Sequence, residues 1–82
     1  RIREPLAQAA WERGTDILLR EGPAAARPWL ALATEAPDAG PLQETLWRWS
    51  EAAAEGDSDR FERLRAHLAT MELPENLRGV VR

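Results

Sequence analysis

The chain contains no cysteine, no lysine and no tyrosine among its 82 residues. Without cysteine there can be no disulfide framework, no thiolate zinc site and no cysteine nucleophile. All eleven basic residues are arginine, so a phosphate-loop lysine and a lysine that forms a Schiff base are excluded as well. These absences remove several common kinds of catalytic and metal site.

The chain also lacks a long apolar run. No stretch approaches the roughly 20 apolar residues that a membrane-spanning helix needs, so we expect no membrane partner. No cleavable signal is visible, and the chain opens on Arg1 instead of methionine, so we expect an internal piece of a larger protein; processing or a truncated sequence is the alternative. These features, together with the absence of cysteine, favour a cytoplasmic location.

The charge is acidic overall and unevenly distributed. The formal net charge is -3. Residues 1–59 hold six arginines against eleven acidic residues, whereas residues 60–82 hold five arginines against three. Because nucleic-acid binding depends mainly on basic side chains that neutralise phosphates, the acidic part argues against nucleic acid as the principal partner.

The composition favours helices over strands. Two Ile, two Val and one Phe stand against fifteen Ala, and Pro and Gly residues divide the chain into five helical segments. We predict an all-α fold in one domain, 1–82, with two antiparallel helical hairpins packed as a small bundle or short repeat array and a short C-terminal helix. The predicted bounds are 5–36 for hairpin one, 41–73 for hairpin two and 75–81 for the short helix.

Single residues predict how these helices begin and pack. Gly14 lies inside the first helix, where a glycine costs about 1 kcal/mol relative to alanine, so we expect another helix to approach closely there. Pro28 lies inside the second helix and predicts a kink or a restart. The run from Asp57 to Asp59 offers N-caps for the fourth helix, with Glu62 placed to reach back to Asp59.

Apolar residues recur at helical spacing in each segment and predict the buried faces. The predicted core positions are Leu6, Ala10, Ile17 and Leu18 in the first helix, Trp29, Leu30, Leu32 and Ala33 in the second, Leu42, Leu46, Trp49 and Ala53 in the third, Phe61, Leu64, Leu68 and Met71 in the fourth, and Leu77, Val80 and Val81 near the C-terminus. On the other face of the third helix, Glu44 and Arg48 are spaced for an ion pair, and Glu51 and Glu55 continue that solvated stripe.

Two short fragments recur at a distance of 36 residues. The repeated fragments are Pro5, Leu6 and Trp11, which return as Pro41, Leu42 and Trp47, and Leu32-Ala33-Thr34, which returns as Leu68-Ala69-Thr70. A fixed period of this size is typical of a duplicated helical hairpin, because one hairpin cannot bury its apolar face without a neighbour. Chance matches in a chain rich in Ala, Leu and Arg are the alternative.

Small and large residues recur in the hairpins at the relative spacing of a known helical repeat motif. The residues concerned are Gly14, Ala26, Leu30 and Ala33, with Pro37 one position early, and then Gly56, Phe61, Leu64 and Leu68. In this spacing residues 5–74 resemble tetratricopeptide-type repeats, and the resemblance implies a protein-interaction scaffold. The chain departs from that family where Trp49 and Ser50 occupy a glycine-type position, and where the opening Trp-x2-Leu-Gly is absent.

Four tryptophans are the one unusual enrichment. Packing in the core and between helices explains them most simply, since each can bury up to about 250 Å². Trp49 shares the apolar face of its helix, so Trp47 points elsewhere and either meets the neighbouring hairpin or is an exposed binding anchor. We name Trp47, Trp11 and Trp29 as candidate interaction residues. The alternative is a Trp-lined cleft for a small ligand, or an aromatic cage for a cationic one.

No arrangement of residues indicates catalysis, a metal or a cofactor. His67 is the only histidine, and a metal there would need carboxylates for every other ligand. Ser50 or Ser58 could be combined with His67 as a catalytic pair, but the sequence alone does not indicate this, because a catalytic triad is recognised by its geometry. The acidic run from Asp57 lacks the glycine and glutamate of a calcium loop, so helix capping explains it better. We predict a non-enzymatic protein without a cofactor.

Five arginines gather in the C-terminal third of the chain, namely Arg60, Arg63, Arg65, Arg78 and Arg82. Arg60 and Arg63 are candidate interaction residues for an acidic partner or a phosphate backbone, and a solvated charged face is the simpler alternative. The leading hypothesis is a protein-interaction or regulatory module within a larger protein, which binds a protein segment or its parent domains. Self-association stays open.

Overall fold

The computed structural model describes residues 4–81, of which 77% are helical, and these residues contain no strand. The helices are α1 Glu4–Glu21, α2 Pro23–Ala33, α3 Pro41–Glu55, α4 Ser58–Ala69 and α5 Glu75–Arg78. Each of the first three helices packs against the next one along the chain. The predicted all-α fold of two helical hairpins and a short C-terminal helix is confirmed.

The core lies between the two hairpins and receives side chains from every helix. Its fully buried members are Leu18, Ala26, Leu30, Leu46, Trp49, Leu68, Leu73, Leu77 and Val81. Trp49 is 2% exposed and stacks on Phe61, with 5.0 Å between the ring centroids. The sequence prediction that Trp49 is a core residue is therefore confirmed.

Two glycines end helices as the sequence indicates. Gly22 and Gly56 have φ values of 97° and 72°, a left-handed conformation that residues with a side chain rarely adopt. Asp57 is the N-cap of α4, because its Oδ1 accepts a hydrogen bond from the Arg60 backbone N–H at 3.2 Å. Glu62 does not reach back to the cap as predicted; its carboxylate pairs with Arg65 at 3.0 Å instead.

The recurring Leu-Ala-Thr fragments form the same structure twice. Helices α2 and α4 end at Ala33 and Ala69, 36 residues apart, and a threonine follows each as the C-cap. The Thr34 hydroxyl donates to the Ala31 carbonyl, and the Thr70 hydroxyl donates to the His67 carbonyl, both at 2.7 Å. Both helices therefore end before the downstream prolines, and α4 is shorter than predicted.

Helix α2 continues through Pro28 without a restart. The proline ring lacks the N–H that would bond to the carbonyl four residues earlier, but Pro28 is exposed, so water can reach that carbonyl. Of the two predicted alternatives, the restart is therefore wrong, and the kink stays a prediction.

At the N-terminal end of α1, the buried face is shifted by one residue from the predicted buried face. Leu6 is 54% exposed, whereas Ala7 and Ala10 are buried. The spacing of Ala7, Ala10, Gly14 and Leu18 defines the face that packs on α2. The prediction that Leu6 belongs to the core is wrong.

Gly14 marks the closest approach of α1 and α2. A Cβ atom at this position would lie 3.1 Å from Leu30 Cδ2 and 3.1 Å from Trp29 Cβ. A side chain of any size would press on the opposing helix, so the predicted close approach is confirmed.

The C-terminal segment packs against hairpin two. Helix α5 is only four residues long, yet Leu77 and Val81 are both buried in the core. Arg65 Nη1 donates to the Val81 carbonyl at 2.9 Å, and Arg78 Nε donates to the Leu73 carbonyl at 3.3 Å. These bonds satisfy carbonyl groups on either side of the short helix, and they hold the segment as a cap on the hairpin.

Candidate interaction groove

A groove lies where the N-terminal halves of α1 and α3 meet the turn that follows α2. It encloses about 170 Å³ and is lined by Ala7, Gln8 and Trp11 of α1, Ala33 of α2, Ala36, Asp38 and Ala39 of the turn, and Gln43 of α3. The lining thus comes from three helices and one connection, and no single stretch of sequence builds it.

Alanines form the floor of this groove. Ala7, Ala33 and Ala36 are buried, and their methyl groups leave space that larger side chains would fill. The turn over the groove is held by backbone bonds, among them the Ala39 N–H to the Ala36 carbonyl at 3.1 Å. A short apolar floor is therefore fixed in place by helix packing and by the turn.

Polar side chains stand at the rim. Gln43 Oε1 accepts a hydrogen bond from the Gly40 N–H at 2.9 Å, which caps α3 and fixes the amide in place. Gln8 and Asp38 are exposed, and neither side chain has a hydrogen bond or an ion pair with another described residue. Both can therefore bond to a ligand without breaking a contact.

Trp11 forms the aromatic side of the groove. It is half-buried and packs against the core, while part of its indole faces the groove. The Thr15 hydroxyl bonds to the Trp11 and Glu12 carbonyls at 3.0 and 3.1 Å, so the helix carrying Trp11 is well supported. An aromatic side chain with one supported and one accessible side is typical of binding anchors.

Trp47 lies one helical turn beyond Gln43 on the same side of α3. It is half-buried and packs against the core, and its Nε1 is buried without a hydrogen-bond partner in the described part of the chain. Trp47 is therefore neither a core residue like Trp49 nor a fully exposed anchor.

Trp29 lies outside the groove lining. It is 36% exposed, and the Arg13 guanidinium stacks over its ring with 5.7 Å between the guanidinium carbon and the ring centroid. The structure therefore brings only Trp11 to the groove, places Trp47 beside it along α3, and separates Trp29 from it.

Arg60 forms ion pairs with residues of its own chain. Its guanidinium pairs with Glu51 at 2.8 Å and Glu55 at 3.3 Å, so it links α4 to α3. The hydrogen bond with Glu51 is the main reason that the pKa of Arg60 is raised. Glu51 and Glu55 are thus more than the solvated stripe that the sequence indicated, whereas the predicted pair of Glu44 and Arg48 is confirmed at 3.0 Å.

The other C-terminal arginines are also largely engaged. Arg65 and Arg78 bond to backbone carbonyls of the C-terminal segment. Arg63 is exposed and makes no ion pair with a described residue, and Arg82 lies outside the described residues. Of the two arginines named as interaction candidates, Arg63 alone keeps its charge available.

No group of three or more His, Asp or Glu side chains that could hold a metal ion occurs within residues 4–81. His67 is exposed. None of the described helices has both the length and the apolar character required to cross a membrane. The chain matches no protein-family model, no curated protein and no solved structure.

Sequence reasoning missed six of the eight residues that line the groove, namely Ala7, Gln8, Ala36, Asp38, Ala39 and Gln43. Their proximity depends on how the seven residues between Ala33 and Pro41 fold back over α1. The one available signal was Gln43, three residues after Gly40, which marks the N-terminal cap of α3 at this point.

Proposed function

We propose that this protein is a non-enzymatic interaction module that binds a protein segment in the groove beside Trp11. The observation that carries the proposal is a half-buried indole beside buried alanines, in a groove whose accessible surface is mostly polar. An apolar core with a polar rim is the usual composition of a protein-recognition site. The resemblance to tetratricopeptide-type repeats supports the same kind of function.

The size of the groove favours a side chain of a protein over a whole small molecule. Sites that enclose drug-sized ligands usually measure about 300–1,000 Å³, whereas this groove encloses about 170 Å³. One or two side chains of an extended segment fit a space of this size. Trp47, one turn along α3, extends the contact surface for the rest of the segment.

The arrangement of charge disfavours nucleic acid as the partner. Arg60 and Arg65 form ion pairs with carboxylates of their own chain, so fewer arginines are available to neutralise phosphates. Asp38 at the groove would repel a phosphate backbone.

Selection from a random peptide library displayed on phage tests the proposal. We expect the protein to enrich peptides, and we expect Trp11→Ala to weaken their binding by about 30-fold, because a buried aromatic anchor contributes about 2 kcal/mol or more. The affinities are measured by fluorescence anisotropy with labelled synthetic peptides.

Trp29→Ala is the matched control, since Trp29 is exposed and lies away from the groove. It should leave the affinities within about twofold, a small free-energy difference. If Trp11→Ala does not fold, Trp11→Leu keeps an apolar side chain at the core boundary and replaces it in the test. Failure to enrich any peptide, or equal loss in the Trp11 and Trp29 variants, would contradict the proposal.

A further inference from the structure

We infer that the groove receives an arginine side chain of the bound segment, with its guanidinium between the Trp11 indole and the Asp38 carboxylate. The inference rests on the proposed function and adds the chemistry of the residue that is recognised. It follows from the charge, the aromatic surface and the hydrogen-bonding groups of the lining.

The charge of the lining has one sign. Among the residues that the structure describes, Asp38 is the only ionisable side chain of the lining, and no arginine or histidine of residues 4–81 lines the groove. The Asp38 carboxylate is exposed and has no ion pair with any residue that the structure describes. A cationic side chain would gain a partner there and would displace none of the described residues.

The aromatic surface suits a planar cation. A guanidinium over an indole face is attracted by the electrons of the ring and keeps its N–H groups free at its edge. The protein already contains this arrangement, since Arg13 stacks over Trp29 at 5.7 Å. At Trp11 no arginine within residues 4–81 lines the groove.

The polar rim can satisfy the donors of an arginine. A guanidinium has five N–H groups and no acceptor. The Asp38 carboxylate and the Gln8 side-chain carbonyl both accept hydrogen bonds, and neither is engaged with another described residue. A lysine ammonium would gain the charge pairing but not the planar stacking on Trp11.

The wider charge distribution supports the same partner. Residues 1–59, which include the whole groove, hold eleven acidic residues against six arginines. A negative potential around the groove raises the encounter rate with a basic segment and repels an acidic one.

Five pools of acetylated and amidated decapeptides test the inference. Each pool has random flanking residues and one fixed central residue, which is arginine, lysine, citrulline, leucine or glutamate. We expect the arginine pool to bind more tightly than the citrulline pool by about tenfold, because citrulline keeps the shape and loses the charge. Binding is measured by competition against a labelled peptide enriched in the library selection.

Two variants test whether Asp38 causes the preference for the arginine pool over the citrulline pool. Asp38→Asn should remove most of the preference of the arginine pool over the citrulline pool. Glu35→Gln should retain the preference, since Glu35 is an exposed carboxylate of the same turn that does not line the groove. Equal loss in both variants would show a general effect of net charge and would overturn the assignment to Asp38.

The outcomes separate this inference from the proposed function. If the leucine or citrulline pool binds as well as the arginine pool, and Trp11→Ala weakens every pool, the groove binds protein segments without selecting arginine and the inference fails alone. If no pool binds and the library enriches nothing, the proposed function fails with it. If acetyl-arginine amide competes as well as the decapeptide pool, the ligand is a free small cation and the inference is overturned.

Discussion

At the scale of single residues, Trp47 and Trp49 differ in environment although they are two positions apart on α3. Trp49 is 2% exposed and stacked on Phe61, whereas Trp47 is half-buried. The Nε1 of each is buried without a hydrogen-bond partner among the described residues, so that cost is common to both and does not distinguish them. The difference in apolar burial is what decides their relative contributions.

We therefore expect Trp49→Ala to lower the free energy of unfolding by about 3–5 kcal/mol, as large-to-small changes in a core do. In a chain of ordinary marginal stability this is enough nearly to unfold the protein. Trp47→Ala should cost clearly less, because part of the indole is already in water. Urea denaturation of the two variants checks this, and equal losses would show that both indoles belong to the core.

Gly14 gives a second prediction for a single residue. Gly14→Ala should gain up to about 1 kcal/mol in helix propensity but lose more, about 1–3 kcal/mol, because the new Cβ would lie 3.1 Å from Trp29 Cβ. Trp29 Cβ is attached directly to the α2 backbone and cannot turn away. We expect a net loss on the order of 1 kcal/mol in the free energy of unfolding.

Gly79→Ala is the control for that prediction. Apart from its two chain neighbours, no described residue has an atom within 4 Å of a Cβ built at Gly79, and its φ of -69° suits any residue. This variant should be neutral or slightly stabilising in the same urea experiment. A stabilising effect of Gly14→Ala of similar size would contradict the close contact between α1 and α2.

At the scale of helices, the ion pairs of Arg60 connect α3 and α4 beyond the turn that joins them. The Arg60 side chain is 27% exposed and reaches Glu51 and Glu55. Arg60→Gln should lower the denaturation midpoint at low salt, whereas Arg63→Gln should not, because Arg63 is exposed and unpaired within the described chain. The difference should shrink in 1 M NaCl, where the screening length falls to about 3 Å. An effect of the two variants that is equal at every salt concentration would refute the connection.

The pH dependence of this connection follows from the pKa of Arg60. Pairing with Glu51 raises that pKa, and a base with a raised folded-state pKa contributes its stabilisation at every pH below its unfolded value. On the alkaline side, the contribution is lost as the pH rises through the folded-state pKa of Arg60, in strongly alkaline solution. Melting curves between about pH 7 and pH 9 should show a constant difference between wild type and Arg60→Gln.

The ends of the helices show how far sequence reasoning reaches. The bounds of α3 are predicted to the residue, since Pro41 opens the helix and Gly56 closes it. The end of α4 is not, because the Thr70 cap and the burial of Leu73 turn the chain inward before Pro74 can act. Local signals were sufficient where one residue fixes the backbone, and insufficient where burial of a distant residue decides.

The candidate site shows the same limit. Trp11 could be named from the sequence because tryptophans are rare and half-buried ones often bind partners. Asp38 and Gln8 could not be named, because they are exposed polar residues 30 positions apart and only the turn after α2 brings them together. Arg60 was named as a contact residue although it pairs within the chain, since the α3–α4 crossing that places it beside Glu51 is a tertiary feature.

At the scale of the whole molecule, the C-terminal segment completes the core. Leu77 is 1% exposed although α5 has only four residues. We expect Leu77→Ala to lower the free energy of unfolding by about 2–5 kcal/mol, as for other buried leucines. Asn76→Ala, an exposed neighbour, should change it by no more than about 0.5 kcal/mol. Similar small effects of both variants in urea denaturation would show that the segment does not contribute to the core.

The central claim also concerns the whole molecule: the groove beside Trp11 is the surface that binds a protein segment. The most direct test is a ¹H–¹⁵N NMR titration of the four indole N–H signals with the tightest peptide from the library, each signal assigned by a Trp→Phe variant. The account predicts that the Trp11 signal shifts in proportion to peptide bound, that Trp47 shifts less, and that Trp29 does not shift. Saturable binding that moves Trp29 and leaves Trp11 unchanged would contradict it.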